Sequence, residues 1–408
     1  MPSSPAWRIA YVCPRYTPRS AGGAEVLIQS WAERMARRGH YSEVFTTCAR
    51  DHITWGNDYP PGVEVVNGIK VRRFLIDRHD RRLQLALQDK ITAGRGLSRA
   101  DEAAWINAGA QSDGLCSFIR EHAGEFDFFV FAPYLFGVTY NGLRLVPDKA
   151  VLVPCLHDEP YAYLKIIRDL FLSAAAVFFN TVPEMELARR IMPLDGKKAR
   201  VVGLGIESPG ELKPEEFRRK HEIDFPYLLY AGRREGGKST PLLIEYFRHF
   251  RRYQPRDLGL LLMGTGEVGI RREERNRLRD LGYISEEDKW NGYAASLAFC
   301  QPSTNESFSI VLLESWLAGR PGLVNAFCPV TVDHCLKSNG GLFFRDYYEF
   351  EECLLYFLEH PAEADRMGAN GREYVRENFS WNTVLDRLEN GLRSITSANR
   401  ETAKKKNI

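Results

Sequence analysis

The chain has 408 residues, 44% of them apolar, and a formal net charge of +2 at pH 7. That length exceeds one ordinary core and fits two domains of roughly 200 residues each, with an apolar content typical of a globular protein. The near balance of charge argues against nucleic acid as a partner.

Cysteines at 13, 48, 116, 155, 300, 328, 335 and 353 form no CxxC pair, and several lie in apolar strand-like runs. They read as buried thiols in a reducing cytoplasm rather than as metal ligands or disulfides. Residues 1–7 lack the basic start and longer apolar core of a signal peptide. The apolar stretch 161–180 carries Lys165, Arg168 and Asp169, so no bilayer-spanning segment is expected, and any membrane contact is peripheral.

The first half alternates short apolar strands with helical patterns. A strand over 8–13, a helix over 24–38 and a strand over 42–47 come first, followed by strands over 63–66, 70–75, 126–131, 151–155 and 175–180. The loop 14–25 joins the first strand to its helix and ends in Gly22-Gly23, where the backbone can approach a ligand closely; the ordinary alternative is a flexible connection. Arg72, Arg73, Arg78, Arg81 and Arg82 cluster ahead of Leu83, Leu85 and Leu87. A solvated charged loop is the slightly preferred reading of that cluster, and contact with an anionic lipid or lipid-linked acceptor is the sharper one. His157-Asp158 follows the strand over 151–155, at a carboxyl end where α/β sheets bind ligands. A lone histidine there is often merely packed or solvated.

Gly, Pro and Ser accumulate over 203–214, which reads as a hinge. The second half then repeats the alternation: a strand over 227–231, a helix from Pro241, a strand over 259–263, a helix near Arg271 and a strand over 297–300. Such alternation predicts two tandem α/β domains with parallel sheets and a ligand cleft between them.

After the strand over 227–231, residues 232–239 read GRREGGKS and match the P-loop pattern at every fixed position. A P-loop would need a strand-borne acid for magnesium, and its helix would begin earlier than Pro241 implies. The other reading lets Arg233 and Lys238 project from a strand-to-helix loop and neutralise a diphosphate without metal. Gly264, Gly266 and Gly269 match G-x-G-x-x-G but follow a later strand of their domain, so they predict a close turn near a nucleotide, or only a tight turn.

The stretch 305–324 reads NESFSIVLLESWLAGRPGLV. Ser307 or Ser309 can cap a helix that Gly319-Arg320-Pro321 stops, which leaves Glu306 in the loop and Glu314 within the first two turns. A strand, a loop and a helix N-terminus in that order attract a phosphate, and two carboxylates beside it accept from hydroxyls. That combination suits a nucleotide sugar. The plainer reading is an amphipathic helix with two solvated glutamates. Helices over 349–360, 362–377 and 381–394 follow; the last can cross back to the first domain, ahead of a tail over 397–408 that reads as disordered.

Together the Gly22-Gly23 loop with Glu25, His157, Gly205-Ile206-Glu207, Gly232-Arg233 with Lys238, the Glu306/Glu314 pair and the helix at Trp381 resemble a group 1 (family 4) retaining glycosyltransferase. The resemblance implies the GT-B fold: Rossmann-like domains over 1–205 and 206–380 facing across a cleft, with residues 381–396 returning to the first. It further implies that Arg233 and Lys238 bind the donor diphosphate while the Gly22-Gly23 loop closes on it. Glu314 would hold the ribose and Glu306 the transferred sugar. Backbone N–H groups over Ser307, Phe308, Ser309 and Ile310 would receive the departing phosphate, Gly264 and Gly266 would approach the donor, and His157 would lie near the reacting carbon. No cofactor or catalytic metal is implied; the donor would be a UDP- or GDP-sugar, and the acceptor a carbohydrate or lipid-linked glycan in bacterial surface polysaccharide assembly. Ser307-Phe308-Ser309 and Ser239 stand where the family commonly has glycine, which leaves the sugar open. The rivals are an epimerase of the same fold, a P-loop NTPase and a non-catalytic sugar-nucleotide binder.

Overall fold

Short runs of β-branched and aromatic residues, separated by amphipathic helices, produce two sheets in the computed structural model, which describes residues 6–17, 22–234 and 236–406. Residues 18–21 of the expected 14–25 loop, Glu235 of the glycine-rich loop, and the chain ends at 1–5 and 407–408 lie outside the described residues.

The first sheet contains β1 (Arg8–Val12), β2 (Tyr41–Thr47), β3 (Gly62–Val66), β4 (Ile69–Phe74), β5 (Phe128–Phe131), β6 (Ala150–Leu152), β7 (Ala176–Phe179) and β8 (Ala199–Val201). Its order is β3-β4-β2-β1-β5-β6-β7-β8. All neighbours are parallel except β3, which pairs antiparallel with β4 through the tight Asn67-Gly68 connection. The second sheet contains β9 (Tyr227–Ala231), β10 (Gly259–Met263), β11 (Leu278–Gly282), β12 (Ala298–Gln301), β13 (Gly322–Asn325) and β14 (Gly341–Phe344), in the wholly parallel order β11-β10-β9-β12-β13-β14. Each sheet buries its own core. Phe45, Phe129 and Phe131 lie in the first, and Leu228, Phe247 and Leu260 in the second.

The strands that the sequence pattern missed, β8, β11 and β14, are all sheet edges. β8 and β11 carry Arg200, Arg279 and Asp280 and so lack the continuous apolar run that marks β9 or β10, whereas β14 is apolar but only four residues long. The helix expected near Arg271 is a single 3-10 turn, Arg272–Glu274, held to the neighbouring helix by Arg248.

Residues Met1–Leu204 with Leu385–Ile408 form one compact unit and Gly205–Val384 the other. The last helix, Trp381–Lys406, therefore begins in the second unit and continues in the first. Trp381 packs so closely on Gly205 that a Cβ there would collide with the indole. Farther on, Leu388 and Leu392 are buried in the first unit, and Arg38 pairs with Asp386 at 2.6 Å and Glu389 at 3.2 Å. The helix runs through Lys406, into the stretch 397–408 expected as a disordered tail.

The basic cluster of the first domain is not one surface. Successive strand residues point to opposite faces, so Arg72 and Arg73 on β4 diverge. Arg73 is buried and donates to Glu64 at 2.5 Å, while Arg72 donates to Glu43 at 3.1 Å and lies over the Phe118 ring. Arg78 pairs with Asp113 at 2.5 Å. Arg78 is exposed, as are Arg81 and Arg82, which open the helix Arg81–Thr92 beside exposed Leu83 and Leu85. Among the described residues, no helix is long and apolar enough to cross a membrane.

Candidate active site

The order of the second sheet reverses between β9 and β12, and ligands of open α/β sheets bind beyond the carboxyl ends of the strands at such a point. The loops leaving these two strands carry the residues singled out from the sequence.

After β9 the chain turns at Gly232 (φ 148°), runs through Arg233 and Arg234, forms the 3-10 turn Gly236–Lys238, and enters the helix Thr240–Tyr253 with Pro241 in its first turn. The two adjacent arginines differ in role. Arg234, its side chain 2% exposed, donates to the Gly266 carbonyl at 2.7 Å and pairs with Asp280, tying three loops together. Arg233 is half-buried, and its carbonyl accepts from the Tyr230 hydroxyl at 2.7 Å. Gly264 has φ 118°, and a Cβ on it would overlap the Gly232 carbonyl. Gly264 and Gly266 thus let the β10 loop lie against the β9 loop, which is the tight-turn reading of the G-x-G pattern. The strands flanking β9 end in Met263 and Gln301, so neither supplies the terminal acid of a P-loop enzyme.

After β12, Glu306 lies in the loop and Glu314 is the fifth residue of the helix Ile310–Leu317. Lys238 Nζ donates to Glu306 Oε1 at 2.7 Å, bridging the two loops across the reversal of strand order. Gln301 at the end of β12 donates to the same oxygen at 2.7 Å, and its own carbonyl accepts from Ser309 Oγ at 2.6 Å. Among the described residues, Glu306 Oε2 has no hydrogen-bond partner. Ser309 occupies the N-cap position in the left-handed region (φ 69°, ψ 67°), but its hydroxyl is engaged by Gln301 and makes no side-chain capping bond to the helix.

Glu314 is buried, with Oε1 accepting from Lys289 Nζ at 2.9 Å and Oε2 from the Tyr293 hydroxyl at 3.2 Å. Burial raises its carboxyl pKa above the ordinary value, against the pull of Lys289. Burial also pulls on Lys289, yet Glu314 and Glu286 together hold its ammonium above the ordinary lysine value. Each Glu314 oxygen keeps one lone pair, spaced to accept from adjacent hydroxyls.

His157 and Gly22-Gly23 lie in the first unit. The backbone before His157 is fixed by buried Glu184, whose carboxylate accepts Leu156 N–H and Asn180 N–H at 2.6 Å each, joining the ends of β6 and β7. Gly22 is the N-cap of the helix Gly23–Arg37. The Glu25 carboxylate, paired with Arg15, occupies the space a Cβ on Gly22 would need.

Sequence reasoning missed Gln301, Lys289, Tyr293 and His334. Gln301 alone left a signal, as a polar residue ending an apolar strand; the others sit in helices where polar residues are commonplace.

Residues 213–374 match the family described as glycosyl transferases group 1. A D-inositol 3-phosphate glycosyltransferase of Saccharomonospora viridis is 25% identical over 414 residues, covering 94% of this chain and 92% of that protein. In fold, the chain resembles sucrose-phosphate synthase from Thermosynechococcus elongatus, with TM-score 0.71, 18% identity, and coverage of 96% of this chain and 100% of that one. HepE of Anabaena, solved with UDP and glucose, gives TM-score 0.69 and 15% identity over 95% of this chain and 100% of its own. The fold is that of the GT-B glycosyltransferases.

Proposed function

We propose that this glycosyltransferase transfers a hexosyl group from a nucleoside diphosphate sugar to a carbohydrate or lipid-linked acceptor, with retention of anomeric configuration and without a catalytic metal. The observation that carries the reading is the Lys238–Glu306–Gln301–Ser309 chain at the reversal of strand order, with Glu306 eight positions before the buried carboxylate of Glu314 and beside the N-terminus of its helix. The lysine keeps two further N–H donors for a phosphate, and Arg233 supplies a second cation. Glu306 Oε2 is available to a sugar hydroxyl, and Glu314 to the ribose diol. These cationic groups and backbone N–H groups receive the charge of the departing diphosphate, the role a metal would otherwise have. The acceptor hydroxyl attacks the anomeric carbon from the leaving-group face, and a phosphate oxygen takes its proton. HepE, which binds UDP and glucose, supports a uridine donor, and the inositol-phosphate transferase supports a polyol acceptor. Bacterial surface glycan assembly is the proposed setting.

Nuclear magnetic resonance of the product, made from α-configured UDP- and GDP-sugars, tests the reading. A product anomeric proton with the small coupling of the α configuration is expected. A β-linked product would overturn retention.

A further inference from the structure

His334, in the helix Pro329–Ser338, is buried among Phe308, Trp316, Tyr374 and Phe379, directly beneath the loop that carries Glu306. Its Nε2 lies 3.2 Å from the Phe308 carbonyl oxygen, and its Nδ1 lies 3.0 Å from the Tyr374 hydroxyl. A carbonyl only accepts, so Nε2 bears the hydrogen; a neutral ring then leaves Nδ1 to accept from Tyr374. Burial favours that neutral form by depressing the imidazole pKa to about 4.

The consequence lies on the other side of the peptide. The Phe308–Ser309 bond is trans, so its carbonyl and the Ser309 N–H point in opposite directions. With the carbonyl held inward by His334, the Ser309 N–H faces away from the core. Ser309 is left-handed and Ile310 helical, a succession that converges neighbouring N–H groups into an anion-binding concavity. The Ser309 hydroxyl, turned to Gln301, does not fill it.

We propose that His334 is a positioning residue for the donor diphosphate: by holding the Phe308 carbonyl in the interior, it aims the N–H groups opening the Ile310–Leu317 helix at the phosphate beside Lys238. This rests on the nucleotide-sugar reading above. Tyr374 fixes the ring tautomer and so belongs to the same relay.

Calorimetry on the full chain with UDP against uridine, and GDP against guanosine, separates phosphate binding from nucleoside binding. His334→Leu should lower the preference for diphosphate over nucleoside by about tenfold, because a carbonyl left without its donor lets the peptide turn. Nucleoside affinity should stay unchanged. His334→Gln, whose amide N–H reaches the Nε2 position, should restore most of the preference, and Tyr374→Phe should shift it the same way as the leucine variant but less. If His334→Leu fails to fold, the glutamine and phenylalanine variants carry the comparison. An unchanged preference in folded His334→Leu, or in Tyr374→Phe where the leucine variant does not fold, or loss of nucleoside and diphosphate in equal measure, would overturn the role of His334. Wild-type protein that binds neither diphosphate would overturn the donor reading itself, and the proposal with it.

Discussion

Lys238 and Glu306 stand 68 positions apart in the chain and 2.7 Å apart in space, so each orients what remains of the other's hydrogen-bonding capacity. Removing the lysine deletes a phosphate cation and also strands a carboxylate that is 10% exposed. Lys238→Ala and Arg233→Ala should each weaken UDP or GDP by about tenfold or more, the worth of one charge-assisted hydrogen bond; calorimetry measures it, and unchanged affinity would remove the residue from the site. The two glutamates should separate by role. Glu314→Gln removes a lone pair from the ribose position and so weakens free nucleotide and nucleotide sugar alike. Glu306→Gln should leave free nucleotide nearly untouched while lowering turnover, since orienting the anomeric carbon is a large part of the available catalysis. Nucleotide titrations of both variants, alongside donor consumption, read that difference.

At the scale of elements, the loop after β12 takes its shape from beneath. Neutral His334 in the folded chain contrasts with an ordinary imidazole near 6.5 in the unfolded one. As pH falls through 6.5, the unfolded chain takes up a proton that the folded chain refuses until about 4, so stability declines across that window and rises with pH within it. The loss amounts to about 3 kcal/mol at the acid end, and His334→Gln should flatten that part of the profile. Denaturant unfolding of both proteins between pH 4 and 7 tests this, and parallel profiles would contradict it. Legibility from sequence follows burial. The interior strands β9 and β10 announced themselves by unbroken apolar runs, whereas β8 and β11 did not, because an exposed edge tolerates Arg200, Arg279 or Asp280. Lys238, Glu306 and Glu314 could be picked out because loops and helix starts after strands are where such chemistry collects. His334, Lys289 and Tyr293 matter only through partners brought to them by the fold, and no local pattern encodes those. Arg72 and Arg73 show the converse: neighbours in sequence, they face opposite sides of one strand.

For the whole molecule, the last helix belongs to two units, which makes it a structural requirement of the first. A chain ending at Val384 would lose the burial of Leu385, Leu388, Leu392 and Ile395, and each fully buried leucine contributes about 1.5–3 kcal/mol. It would also lose the Arg38 pairs with Asp386 and Glu389. The first unit should then unfold at lower temperature while residues 205–384 keep their transition, an outcome calorimetric scanning would resolve; an unshifted transition would show the helix dispensable.

Glu306 and its partners are proposed to activate a nucleotide sugar without metal. Release of UDP or GDP from a panel of UDP- and GDP-sugars, followed in excess EDTA for wild type and for folded Glu306→Gln, addresses it in one experiment. The expected result is release from at least one sugar donor by the wild type, undiminished by the chelator and largely lost in the variant. Release that vanishes with EDTA and returns with magnesium, or a Glu306→Gln protein as fast as the wild type, would contradict it.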